Sequence, residues 1–306
     1  MVSRTAKRSE TINRLLMTVL IILIVAIVVL VALIFNTRTA SEFGEDTGSS
    51  NEVSTPDNKT SKSSPTKIDF QPVVDDWANS TSGDKSIAIF DIDRNELLAS
   101  YNIDKQFDTA SLYKLFVVYE GYRRVQSGEW GGDEPAGQTN KTILRCLDLA
   151  IRESNSTCAE AIWGMIGRKE LDKIVHDEFK ITHTDIPALT SNANDITSIM
   201  KMFYQHRQIT DDKLVEQLKD SFLNQPTTEY DWRQGLPSGF EKANVYNKVG
   251  WDYNSEEKNW NLYHDAAIIE FPDDNRHFIV VVMTNHIAPK KIAELGRSIE
   301  AKYLNQ

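Results

Sequence analysis

Strand-like period occupies both ends of the folded part of this chain, helical period fills its middle, and few folds allow that order. "KSIAIFDIDRNELLASYN" (85–102) carries β-branched bulk at Ile87, Ile89 and Ile92. It turns at Asp93-Arg94-Asn95 and returns through Leu97-Leu98, which predicts a hairpin. From Ser111 to about Leu223 the period changes. Stretches such as "KTILRCLDLAI" and "ITSIMKMFYQH" put apolar residues at i, i+3, i+4 and i+7, as amphipathic helices do. Three further strand-like runs follow, "NVYNKVGWDY", "NLYHDAAIIEF" and "HFIVVVMTN", joined by the polar turns "NSEEKN" and "PDDNR". A last helix is predicted after Pro289, which suits a first-turn position, with Ile292, Leu295, Ile299 and Tyr303 on its apolar face. Short connections favour antiparallel pairing. The expected class is α+β: one antiparallel sheet built from both ends of the unit and flanked by helices, with an all-helical subdomain inserted.

The N-terminus obeys a different rule. Leu15 to Phe35 holds one polar residue, Thr18, over about the 20 residues a helix needs to cross a bilayer core. Arg4, Lys7, Arg8 and Arg14 precede it and only Arg38 follows closely, so residues 1–14 read as a cytoplasmic tail and the remainder as extracytoplasmic. The run is longer than the apolar region of a cleaved signal peptide and lacks an evident small-residue cleavage site, which favours an uncleaved anchor over 15–35. Residues 36–66 are rich in Ser, Thr, Asn, Asp and Glu and have little to bury, so they read as a flexible tether. The folded domain is then 67–306, long enough for a full core.

Charge and cysteine content exclude other classes. The chain of 306 residues carries a net charge of −10, which argues against nucleic acid as a partner, because phosphate binding needs a basic surface. Cys146 and Cys158 are the two cysteines. They could pair outside the cytoplasm or remain two buried thiols; the sequence leaves both open. With so few cysteines and scattered histidines no zinc-ligand spacing occurs, and no metal or cofactor is expected.

Ser-x-x-Lys occurs at Ser64, Ser82, Ser111, Ser198 and Ser255. Ser64 falls in the tether, Ser82 and Ser255 in polar turns, and Ser198 on an amphipathic helix. Only Ser111 opens a segment that is apolar nearly all round, "LYKLFVVY", the mark of a buried helix. Residues i and i+3 share a helix face, so Lys114 can reach the Ser111 hydroxyl. A lysine held away from water loses proton affinity and can take the serine proton. An N-cap serine beside a snorkelling lysine would be the ordinary alternative. Two further elements favour chemistry. Ser154 stands before a helix-like segment in "RESNSTCAEAIWGMIG", and Lys248-Val249-Gly250 is the one Lys-x-Gly in the chain, on a predicted strand where glycine allows close approach.

With Ser111-Leu-Tyr-Lys114, Ser154-Asn155-Ser156 and Lys248-Val249-Gly250 in that order, the chain resembles the class A β-lactamases and the wider penicillin-recognising serine hydrolases. Arg233-Gln-Gly-Leu-Pro237 and "YHDAAIIEF" add to the likeness, which spans roughly residues 68–304. The resemblance implies a catalytic set of Ser111 as nucleophile, Lys114 as base or relay, Ser154 as proton donor to the leaving nitrogen and Lys248 as holder of a substrate carboxylate. Ser156, Gly250 and Trp251 would border the substrate, with Asp252 beside them. The backbone N–H groups of Ser111 and of the strand after Gly250 would form an oxyanion hole. The implied partners are a β-lactam or a peptidoglycan stem peptide.

The chain departs from the family pattern at several positions. Asn155 and Ser156 replace Asp and Asn, and Val249 replaces a hydroxyl residue. The loop near 178–195 lacks the Glu-x-x-Leu-Asn run that supplies a deacylating base and looks shortened; Glu178 and Asp185 are its acidic candidates before Asp195. The expectation is a membrane-anchored serine hydrolase with slow deacylation. The alternative from another class is a non-catalytic β-lactam or cell-wall sensor, or a scaffold, on the same fold.

Overall fold

The computed structural model describes residues 67–206, 208–225 and 232–306. The tail, the anchor and the tether expected over 1–66 all lie outside the described residues. Among those described, no helix is long and apolar enough to cross a membrane.

Helix α1 (Gln71–Ser80) leads into β1 (Asp84–Asp91), β2 (Glu96–Tyr101) and the two-residue β3 (Phe107–Asp108). Six helices follow: α2 (Tyr113–Gln126), α3 (Ile143–Arg152), α4 (Ser156–Ile166), α5 (Arg168–Asp177), α6 (Ala193–Gln205) and α7 (Asp212–Leu223). The short β4 (Thr190–Ser191) precedes α6, and β5 (Asn244–Asn254), β6 (Asn259–Phe271), β7 (Arg276–Asn285) and α8 (Pro289–Leu304) close the chain. The sheet runs in the order β2-β1-β7-β6-β5, antiparallel throughout, so the hairpin from the start of the domain pairs with the last strand. The predicted class and the joining of both ends in one sheet are as expected.

Burial on both faces makes β7 apolar without alternation. Ile279, Val281 and Met283 belong to the core shared with the helices, while Phe278, Val280 and Val282 belong to a second core on the other side. The period of two is present but hidden, because each face has its own apolar cover. That cover on the second side is α8 with Ile292, Leu295, Ile299 and Tyr303, and α1 with Val74 and Trp77. Tyr303 stacks on Phe271 at 3.7 Å, and Trp77 Nε1 donates to Lys291 O at 2.7 Å. The sequence reading did not single out α1.

Helix α2 is buried from Tyr113 to Tyr122, and only its last turn, Arg123 to Gln126, is half-buried. Its buried Glu120 is satisfied by Arg123 at 2.6 Å and Arg124 at 2.7 Å. The question of the cysteines closes here: Cys146 on α3 and Cys158 on α4 are disulfide-bonded, with Cα atoms 4.7 Å apart. Both sulfurs are buried, and the 12-residue loop they close contains Ser154. Closing a loop of that size is worth about 3 kcal/mol.

Candidate active site

Ser111 sits in a 3-10 turn (Ala110–Leu112) that runs into α2, half-buried at the mouth of the apolar helix. Its side chain caps no helix end. The turn is held from several directions. Thr109 N donates to Leu189 O at 2.7 Å, and Leu112 N to Thr109 O at 2.9 Å. Ala110 adopts φ +41°, an unfavourable left-handed conformation for a residue with a side chain, and its N–H donates to Asp108 Oδ1 at 2.7 Å. His264 of β6 binds the preceding carbonyl: its Nε2 lies 2.7 Å from Asp108 O, while its Nδ1 accepts from Thr284 N at 2.9 Å. Those partners require a neutral ring protonated on Nε2, and burial pushes its pKa down to about 4.

The lysine and the three serines named from sequence come together around one nitrogen. Lys114 Nζ lies 3.1 Å from Ser111 Oγ, 3.3 Å from Ser154 Oγ and 3.1 Å from Ser156 Oγ, and also donates to Ser154 O. The residue is 1% exposed. Burial therefore dominates its electrostatics and lowers its pKa to about 8, against a smaller opposing pull from Glu160. Ser154 adopts φ +53° on the corner between α3 and α4. Asn155 caps α4, its Oδ1 accepting from Cys158 N at 2.9 Å. A cap needs only a side-chain acceptor, which Asn supplies as well as Asp, so this departure from the family pattern keeps the local structure.

Lys248 approaches from β5. Its Nζ donates to Ser154 Oγ at 2.9 Å and to Val249 O at 2.7 Å. Burial first, and then the nearby Lys114, drive its pKa well below the ordinary lysine value. Asp265, on the neighbouring strand, accepts from Leu236 N at 2.7 Å and from Asn247 Nδ2 at 2.9 Å, and burial raises its pKa to about 7. Gly250 is required by close approach. A Cβ there would stand 2.6 Å from Thr109 O and 3.2 Å from Leu112 N, so a side chain would force β5 away from the nucleophile turn.

The other residues named from sequence fall outside this cluster. Trp251 alternates with Lys248 along the strand, so its side chain lies on the face of Val249, stacked on Trp232 at 5.5 Å; only its backbone lies along the edge that carries Gly250. Val249 is buried on that same far face. Asp252 is exposed and accepts from Asn261 Nδ2 at 2.8 Å. In the loop, Glu178 pairs with Arg123 at 2.6 Å, and exposed Asp185 accepts from Ala188 N at 2.8 Å. Asp195 closes the loop, as expected of it, accepting from His183 N at 2.8 Å and Thr184 Oγ1 at 2.9 Å. Sequence reasoning missed Tyr113, Glu160, Asn247, His264 and Asp265. Of these, Glu160 alone had a local signal, standing four residues after Ser156 on one helix face. Among the described residues no group of three or more His, Cys, Asp or Glu side chains could hold a metal ion.

A model of the β-lactamase enzyme family matches residues 69–303. The chain belongs to the β-lactamase enzyme family. Solved structures of that family share its fold. A representative class A β-lactamase from Bacteroides cellulosilyticus DSM 14838 is 12% identical, with 79% of this chain and 100% of that chain covered at a TM-score of 0.66. A β-lactamase from Chitinophaga pinensis DSM 2588 is 14% identical over 75% and 97% of the two chains, at 0.62. An ancestral class A β-lactamase, for the last common ancestor of Gram-negative bacteria, is 16% identical over 76% and 99%, at 0.64. No curated protein matches the sequence. The chain is a β-lactamase-like serine hydrolase, and the Ser111–Lys114–Ser154–Lys248 cluster lies inside the segment that the family model matches.

Proposed function

We propose that this chain is a membrane-anchored, extracytoplasmic serine hydrolase that forms an acyl-enzyme at Ser111 with β-lactams or peptidoglycan stem peptides and releases it slowly. The observation that carries this reading is the buried Lys114 Nζ within hydrogen-bond reach of Ser111 Oγ and Ser154 Oγ at once. A lysine with a pKa near 8 has an appreciable neutral fraction at physiological pH and can act as a base. Lys114 takes the Ser111 proton as Oγ attacks the carbonyl carbon. The carbonyl oxygen becomes an oxyanion facing the N–H groups of Ser111 and Trp251. The C–N bond then breaks. Ser154 gives its proton to the leaving nitrogen and regains one from Lys114, so lysine and serine end as they began. Lys248 receives the substrate carboxylate, whose charge favours the protonated lysine.

Treatment with a fluorescent penicillin followed by peptide mapping should place the label on Ser111. Label on Ser154 or Ser198 would assign the wrong helix, and no label under any condition would favour the sensor or scaffold reading. The anchor rests on the Leu15–Phe35 run and its basic flank. The Cys146–Cys158 disulfide supports an oxidising compartment for the domain. Protease added to intact cells should remove the domain. A protected domain, or one released with a cleaved N-terminus, would overturn the topology.

A further inference from the structure

Tyr113 and Lys114 are consecutive at the start of α2 and meet α4 at two points one helical turn apart. Lys114 Nζ binds Ser156 Oγ at 3.1 Å, and Tyr113 Oη donates to Glu160 Oε1 at 2.9 Å. Ser156 and Glu160 stand at i and i+4, on one face of the helix. The phenol is held in place: Tyr113 is buried, and its ring packs on that of Trp163 at 5.3 Å. The other oxygen of Glu160 pairs with Arg168 of α5, whose guanidinium lies over Trp163 at 4.0 Å. Glu160 is thus fixed by two partners on two other helices.

The charges around Lys114 are unevenly placed. Lys248 on β5 lies on one side, where it and Lys114 disfavour each other's charge, with Asp265 of β6 acting on Lys248. Glu160 on α4 acts on Lys114 as a carboxylate, against the cost of burial. Arg168 on α5 and Tyr113 on α2 reach Glu160. The acids of the neighbouring loop are engaged elsewhere, Glu178 with Arg123 and Asp195 with His183 and Thr184.

We propose that Glu160, held by Tyr113, is a positioning residue for Lys114: it sets α2 against α4 so that Nζ meets three serine hydroxyls together, and its charge stabilises the ammonium formed when Lys114 takes the Ser111 proton. The inference rests on Lys114 acting as the base in the proposed function. In that step the proton moves from Ser111 Oγ to Lys114 Nζ, the lysine passes from neutral to cationic, and no proton is exchanged with Glu160.

The test is the rate of penicillin acylation as a function of pH in the wild type, Glu160→Gln, Glu160→Asp and Tyr113→Phe, with thermal melts to verify folding. Glutamine can still accept from Tyr113 but carries no charge. Lys114 then keeps its proton less firmly, so the acid limb of the profile should move down by roughly one pH unit. The high-pH rate should fall about tenfold as the ammonium loses its counter-charge. Glu160→Asp should return the limb towards the wild-type position. Tyr113→Phe should lower the high-pH rate and move the limb less than Glu160→Gln does. An unmoved limb in folded Glu160→Gln overturns the proposal, even if the rate falls at every pH, because a purely structural role lowers the rate without shifting the profile. A wild-type chain that takes no penicillin at any pH would overturn the Ser111 reading itself, and the proposal with it.

Discussion

One equivalent of penicillin is expected to add its mass to the protein and to remain there long after excess drug has been removed. Deacylation needs a base that aims water at the ester, and such help is typically worth ~10²–10⁴ in rate. The loop that would supply it offers three carboxylates. Glu178 is bound to Arg123, Asp195 is buried under the turn that it closes, and Asp185 is exposed with one oxygen accepting from Ala188 N. Glu160 is held by Tyr113 and Arg168. None of the hydrogen bonds around Lys114, Ser154 and Ser111 reaches any of them. Acylation should therefore be intact and release slow by about that factor. Intact mass followed over time measures both steps, and Ser111→Ala should gain no mass while melting normally. Fast steady-state turnover of a chromogenic cephalosporin, lost in Ser111→Ala, would contradict this. Asp185→Asn and Glu178→Gln would then identify the base.

Lys114→Met is expected to slow acylation by ~10²–10⁴ while leaving the domain at least as stable. The rate falls because, among the described residues, it is Lys114 Nζ that hydrogen-bonds both Ser111 Oγ and Ser154 Oγ and so can carry the proton between them. The stability follows from the sign of the lysine's shift. Its pKa is about 8 in the fold against an ordinary 10.5, so below pH 8 the fold bears the full cost of a buried charge. That cost fades as pH rises from about 8 towards 10.5, where the unfolded chain still holds the proton. The difference is worth roughly 3 kcal/mol. Methionine of similar length carries no charge to desolvate, although the hydrogen bonds to Ser111, Ser154 and Ser156 are lost and offset part of the gain. Stopped-flow acylation together with thermal melts at neutral and alkaline pH checks both halves. A variant that acylates within tenfold of the wild type would show that Lys114 is not the base.

Removing the base should thus relieve the fold, which is the behaviour expected where a site is built at some cost in stability. The same logic applies to Ala110 and Ser154. Both hold left-handed backbone without being glycine, and both lie in the cluster around Lys114 or next to it.

Local chemistry determined the parts of this protein that lie within a few residues of one another. The i, i+3 spacing of Ser111 and Lys114 on a helix apolar all round determined that the lysine would be buried beside the hydroxyl, because helix geometry follows from the backbone alone. Alternating and 3.6-residue periods determined strands at both ends and helices between, because each element must turn its apolar face to a core. Tertiary structure decided everything that depends on distance through space between residues far apart in the chain. Ser154 lies 40 residues from Lys114 and 94 from Lys248, and only sheet pairing and helix packing put the three within one hydrogen-bonded group. His264 reaches Asp108 across 156 residues with no pattern to announce it. The cysteines were undecided until the α3–α4 corner brought their Cα atoms within bonding range. Trp251 was placed at the cleft by its neighbours in sequence, but a strand sends successive side chains to opposite faces, and its ring went to the far side of the sheet.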